Sequence, residues 1–238
     1  MTPSPWGFRW VGVAVACIAA ALVIANWPVA TRFGLNYQPS SKRIPLYEKV
    51  INFLSRDLQT RRLAKEIVAG ASTDEEKFLK MFSWVTEHVR PTPPGFPVVD
   101  DHPLHILIRG YGASDQRTEA FVLLTGYAGI RAVSVKLRPP GSDRDIMVAL
   151  VQWEGRTCVV DVVNRLMFRN EEGQLADLSE LMAHPEWIAK ASHGLVLGKV
   201  PYTQYLLELR HHQKKTFSRT DAQRTWARFK QELARAWR

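Results

Sequence analysis

Hydrophobic and polar positions follow a different rhythm in each part of this chain. Across residues 10–27 no charged residue interrupts the apolar run. At 1.5 Å per residue that run rises roughly 27 Å, close to the hydrocarbon thickness of a bilayer, so it reads as a membrane helix preceded by a short flank, residues 1–9. Trp6, Trp10 and Trp27 stand where interfacial rings belong. A cleaved secretory signal is the competing reading, because Arg9 precedes an alanine-rich stretch and Pro28, Val29 and Ala30 form a poor cleavage site. Residues 28–45 are expected to be a linker: 36–45 is rich in Pro, Ser and Gln with no apolar period, which predicts a segment that holds the next domain off the bilayer.

A helical period takes over at residue 46. Val50, Phe53, Leu54 and Leu58 share one face of a helix predicted over 46–68, with Gly70 closing it. Thr73 and Glu76 have the spacing of a capping box, and the helix they open carries Phe78, Met81, Phe82, Trp84 and Val85 as its core face. Five prolines across 90–103 exclude a regular helix or a central strand there and predict a surface loop of the kind that shapes a cleft. The period then changes to two. Residues 133–137, 146–153 and 157–163 are apolar and β-branched, with Glu154 and Gly155 as a tight turn between the last two. The prediction is an α+β domain over 46–204, its helices packed on an antiparallel sheet. Asn170 and Gly173 signal a turn, followed by a short helix over 178–182 that Pro185 stops.

The segment 205–238 returns to helical spacing, with Trp226, Phe229, Leu233 and Trp237 on one side and Arg224, Arg228, Lys230, Arg235 and Arg238 on the rest. This basic amphipathic helix can lie on anionic lipid, grip a protein or acidic polymer, or dock on its own domain. Charge concentrates there: nine Lys or Arg face only Glu208, Asp221 and Glu232, which accounts for most of the net +9. Beside a membrane anchor, nucleic acid is not the expected partner. Over the whole chain the balance of 46% hydrophobic and 23% charged residues is that of an ordinary globular protein, which excludes a disordered chain. Cys17 lies in the apolar run, without a lipobox before it, and Cys158 in an apolar strand, so no internal disulfide is expected. Arg9 on one side of the run balances Arg32, Lys42 and Arg43 on the other. Analogy with single-pass N-terminal anchors places the folded domain on the exported, periplasmic or extracellular, side.

Candidate chemistry enters at Gly110, Tyr111, Gly112, Ala113, Ser114, Asp115 and Gln116, which read like a cysteine-nucleophile turn with serine in the nucleophile's place. A thiol ionises near pH 8.5, and lower at a helix start; a serine hydroxyl needs a well-placed general base. Downstream, Phe121, Leu123 and Leu124 lead to Gly129, Ile130, Arg131, Ala132 and Val133, and two strands then end at Asp161. Together with the capped helix from Thr73, these segments, about residues 72–168, resemble the transglutaminase-like superfamily, papain-related enzymes with a Cys, His and Asp triad for acyl transfer or amide hydrolysis. The resemblance implies a cysteine-proteinase-type fold and places Ser114 at the nucleophilic cysteine, Asp145 at the histidine and Asp161 at the third member. Only Asp161 keeps the residue type. It also marks Tyr111, Asp115 and Gln116, around the turn, as candidate binding residues.

Asp161 lies in an apolar strand, where a carboxylate needs partners, with Arg144 and Arg131 as candidates. Ser114 opens a helix, where a serine commonly serves as N-cap. Asp100, Asp101, His102 and His105 invite a metal reading, but without a second cluster no metal site and no cofactor is predicted. Two functions follow from the resemblance. One is a membrane-anchored, catalytically inactive domain that binds a protein or anionic polymer in a cell-envelope assembly. The alternative is an active hydrolase or acyltransferase that uses Ser114 with His102 or His105 as its base.

Overall fold

The computed structural model describes residues 5–100 and 102–211; the amphipathic helix expected after residue 211 lies outside the described residues. The first helix, α1 (Pro5–Ala25), ends where Asn26 turns back and donates its backbone N–H and its side-chain amide to the carbonyl of Leu22, at 3.1 and 2.9 Å. Its apolar side chains are exposed from Trp10 through Ile24. Among the described residues no helix is long and apolar enough to cross a membrane.

Residues 28–45 are not a linker but a hairpin. Strands β1 (Pro28–Leu35) and β2 (Gln38–Pro45) pair antiparallel from Pro28 opposite Pro45 to Leu35 opposite Gln38. Asn36 and Tyr37 both have positive φ, 49° and 63°, the primed two-residue turn whose twist suits a hairpin. The ladder is mostly exposed, so it has no core face to impose an alternating pattern. At its base the N–H of Leu46 bonds to the Trp27 carbonyl, 2.9 Å, so the chain enters α2 (Leu46–Ile67) beside the end of α1.

α2 carries the expected period, but a different face turns inward. Thr60 and Ala64 are buried and Phe53 half-buried, whereas Val50, Leu54 and Leu58 are exposed, together with Tyr47 and Ile51. Next, α3 (Asp74–His88) has its capping box: Glu76 N–H donates to Thr73 Oγ1 at 3.1 Å and Thr73 N–H to Glu76 Oε2 at 3.3 Å. Phe78, Met81, Phe82 and Val85 are buried, with Phe78 stacked on Trp153 at 5.2 Å. The proline-rich stretch is mainly irregular, with two short strands, β3 (Arg90–Pro91) and β4 (Val99–Asp100), before α4 (Pro103–Arg109). β4 extends the hairpin by pairing with β1, Leu35 opposite Val99.

After β5 (Tyr111–Gly112) comes α5 (Ser114–Tyr127), buried almost all round from Gln116 to Gly126, which is why its sequence shows no amphipathic period. The sheet follows: β6 (Arg131–Leu137), β7 (Ile146–Trp153), β8 (Arg156–Asp161) and β9 (Leu166–Met167), antiparallel in that order. Glu154 and Gly155, both at positive φ, make the turn between β7 and β8. Alternate residues point to opposite faces. Ala149, Val151, Trp153, Cys158 and Val160 pack on the side of α3 and α5. Val135, Leu137, Val148 and Val159 pack against a third layer built by residues between 168 and 209.

That layer comprises α6 (Leu178–Ala183), α7 (Pro185–Ala191), β10 (Val196–Leu197), β11 (Val200–Pro201) and α8 (Tyr202–Leu207), then a 3₁₀ turn (Glu208–His211). Pro185 does end α6, yet it also starts α7, at the first helical position, where a missing N–H costs nothing. Tyr205, Leu206 and Leu209 are buried, so the folded unit runs past residue 204.

Candidate functional site

The turn before α5 is held by backbone on one side and by one glutamine on the other. Gly110, at φ 71°, closes α4, and Arg90 and Thr92 donate to the carbonyls of Gly110 and Gly112 at 2.8 and 3.2 Å. A Cβ on Gly112 would meet Ile106 Cγ2 at 3.0 Å and Gln116 Cβ and Oε1 at 3.2 Å. Glycine there lets the Gln116 side chain lie under the turn. Its Oε1 accepts from Ala113 N–H at 3.0 Å, and its Nε2 donates to the Val99 carbonyl at 2.6 Å, where Arg109 also donates, 3.0 Å. Gln116 is buried. Its amide ties the proline-rich loop to α5 rather than facing a ligand.

Ser114 is not the N-cap. Ala113 holds that position and has no polar side chain to cap with; the Gln116 side chain accepts the Ala113 N–H from within the helix. Ser114 is the first helical residue, exposed, and its hydroxyl makes no hydrogen bond among the described residues. Asp115 Oδ1 accepts from Gln116 N–H at 2.9 Å. Tyr111 packs edge-on against Phe96, with Arg109 over its ring at 5.6 Å. Across the turn stands Tyr37, whose phenol is raised above its ordinary pKa by partial burial and then by the charges of Asp115 and Asp100. The hairpin tip therefore borders the turn.

Thr118 joins α5 to β7, its Oγ1 3.2 Å from the carbonyls of both Ser114 and Met147, which share one hydroxyl proton. Asp145 stands two residues before Met147, immediately before β7. It faces two cations instead of the turn: Lys136 Nζ at 2.5 Å from Oδ2 and Arg138 Nε at 2.6 Å from Oδ1. The Arg138 contact is an ion pair whose angle falls short of a hydrogen bond. The bond to Lys136, with the charge of Arg138, holds this carboxyl below the usual carboxylate range.

Asp161, fully buried, is spent within the fold. Oδ1 accepts from Val163 and Asn164 N–H, both 2.9 Å; Oδ2 accepts from Asn164 Nδ2 and the Tyr202 hydroxyl, both 2.7 Å. Neither Arg131 nor Arg144 is its partner. Burial, then the adjacent carboxylate, pushes the Tyr202 phenol well above 10, which keeps it a neutral donor. No hydrogen bond or ion pair links Ser114, Asp145 and Asp161 among the described residues.

His102 fills a structural role. It is the N-cap of α4, its Nδ1 accepting Leu104 N–H at 3.1 Å, so the neutral ring carries its proton on Nε2. Burial first, then Arg56 and His105, lowers its pKa to about 3. An imidazole with that basicity and an occupied lone pair is a poor base for a serine hydroxyl. His105 lines a separate cleft against the β1–β2 hairpin and α2. Cys158 is a poor candidate nucleophile, because it is buried in the sheet and burial raises its pKa to about 12. Among the described residues no group of His, Cys, Asp and Glu could hold a metal ion. Sequence reasoning missed Tyr202, Asn164 and Thr118. The carboxylate in an apolar strand signalled that partners must exist, but Tyr202 lies 41 residues on.

No family model matches the chain and no curated protein does. Among solved structures, it is similar to a candidate protease from Parabacteroides distasonis, at 11% identity and a TM-score of 0.37, covering 58% of this chain and 36% of that one. It is also similar to a candidate cysteine protease from Cytophaga hutchinsonii, at 14% identity and a TM-score of 0.40, covering 53% and 45%. The chain thus spans less than half the length of either.

Proposed function

We propose that this protein is a membrane-anchored domain of transglutaminase-like type, catalytically inactive, that acts as a binding or scaffold module on the exported side of the membrane. One observation carries the reading: the carboxylate at the position of the family's histidine is neutralised by Lys136 and Arg138. A carboxylate held ionised by two cations is too weak a base to activate a hydroxyl. The uncharged run over residues 10–27 and the exposed apolar side chains of α1 support the anchor. A protein or anionic polymer is the proposed partner, through the surface around the turn or the basic tail.

The rival reading, an active serine hydrolase, has in its favour an exposed, unbonded Ser114 hydroxyl at the positive end of α5. Neither histidine suggested as its base serves it: His102 caps α4 and His105 lines a separate cleft. Intact-mass labelling of the full chain with a serine-reactive fluorophosphonate separates the two. Alkaline extraction of membranes tests the anchor: retention in the pellet supports it, and release overturns it.

A further inference from the structure

Tyr47, Ile51, Leu54 and Leu58 recur at intervals of three and four residues, so they form one stripe along α2, with Val50 on its border. All five are exposed, whereas Thr60 and Ala64, on another face, meet the core. From Tyr47 to Leu58 the stripe rises roughly 16 Å at 1.5 Å per residue, and Arg61 and Lys65 continue the same line as polar positions. Folded domains rarely leave so many large apolar side chains together in water, and a stripe of this kind marks a contact surface.

Its place in the chain points to what it contacts. Pro28 pairs with Pro45 at the base of the hairpin, and Leu46 N–H bonds to the Trp27 carbonyl at 2.9 Å. The hairpin therefore returns the chain to the end of α1, and the stripe starts at the next residue, Tyr47. Trp27, 62% exposed, and Tyr47 carry rings with an apolar body and a polar tip, which settle at a bilayer interface. Exposed apolar surface thus runs from α1 through this junction into α2. The other end of the described chain lies elsewhere: Leu209 packs, and Arg210 donates to the Met182 carbonyl, in the layer on the opposite face of the sheet from α2.

We infer that the stripe of α2 lies in the interface of a lipid bilayer, seating the folded domain on the membrane instead of holding it away. The inference rests on α1 as the anchor, proposed above. A helix so placed buries its apolar face about 5–10 Å into the boundary between headgroups and acyl chains. With no linker between α1 and the domain, the start of α2 stands at that boundary wherever α1 ends in it.

The test uses the full chain with Cys17→Ser, carrying a fluorophore at Leu54→Cys and reconstituted with phosphatidylcholine and phosphatidylglycerol vesicles that contain a lipid with a nitroxide high on its acyl chain. Cys158 is buried and escapes the label. Leu58→Cys is a second probe of the stripe, and Lys190→Cys, exposed on α7 in the opposite layer, is the control. All three positions are exposed, so the variants keep the core, and circular dichroism checks the fold. The expected result is nitroxide quenching at positions 54 and 58 about twofold or more above that at 190. Equal quenching at all three overturns the inference. So does protection of position 54 from aqueous iodide without nitroxide quenching, the pattern of a protein contact such as a second copy. Alkaline extraction reports separately on the anchor. A chain retained in the pellet with position 54 unquenched leaves the anchor standing and overturns the inference; a chain released by alkali, yet quenched at 54 in the vesicles beforehand, supports the stripe and overturns the anchor.

Discussion

The Tyr202 hydroxyl donates to Asp161 Oδ2 at 2.7 Å, joining the first residue of α8 to the last of β8. The buried carboxylate of Asp161 is thereby an anchor for the C-terminal layer. Removing the phenolic oxygen leaves a buried carboxylate one bond short. Tyr202→Phe is expected to lower stability by about 1.5–3 kcal/mol, the range for a hydrogen bond to a charged group, read from urea midpoints at unchanged m.

Asp145 between Lys136 and Arg138 sets a second expectation. Its folded pKa is depressed, so its contribution to stability is present above the unfolded value, near 3.8, and is lost as pH falls through the folded one. Asp145→His would place an imidazole beside two cations. That ring is expected to titrate below the ordinary value of about 6.5 by NMR, because its charged form is repelled.

His102 gives the clearest pH dependence. Its folded pKa, lowered to about 3, means that the unfolded chain binds the proton more readily between there and about 6.5. Stability contributed by this group is intact above pH 6.5 and falls on acidification, by on the order of 4 kcal/mol at pH 3. His102→Asn keeps an N-cap acceptor without the titration. Denaturant melts of the variant are expected to show a shallower decline between pH 6.5 and 4.

Gly112→Ala tests the packing under the turn. The added methyl meets the side chains of Ile106 and Gln116 at 3.0–3.2 Å, and both are buried. A loss of about 1–3 kcal/mol is expected in thermal or urea unfolding, with the strain falling on the Gln116 bonds to Ala113 and Val99.

Local chemistry made much of this architecture legible in the sequence. Thr73 and Glu76 cap α3 as their spacing requires, and Glu154 and Gly155 turn between strands whose β-branched pattern is plain. The hairpin over 28–45 was not legible, since an exposed ladder needs no apolar alternation and its turn, Asn36 and Tyr37, lacks the usual glycine. Nor could periodicity show which face of α2 turns inward: polar Thr60 is buried while Leu58 is 64% exposed. At the site, Ser114, Asp145 and Asp161 could be placed on their elements, but not their partners. Lys136 and Arg138 look like ordinary edge charges until the register of β6 and β7 sets them beside Asp145.

The central proposal is that Ser114, Asp145 and Asp161 do not form a catalytic unit, and labelling of Ser114 tests it most directly. The full chain and its Ser114→Ala variant are exposed to a fluorophosphonate and read by intact mass. The account expects no adduct on either, because neither Asp145 nor His102 can draw the proton from the hydroxyl. An adduct on the parent that the variant lacks would contradict it and show an activated serine.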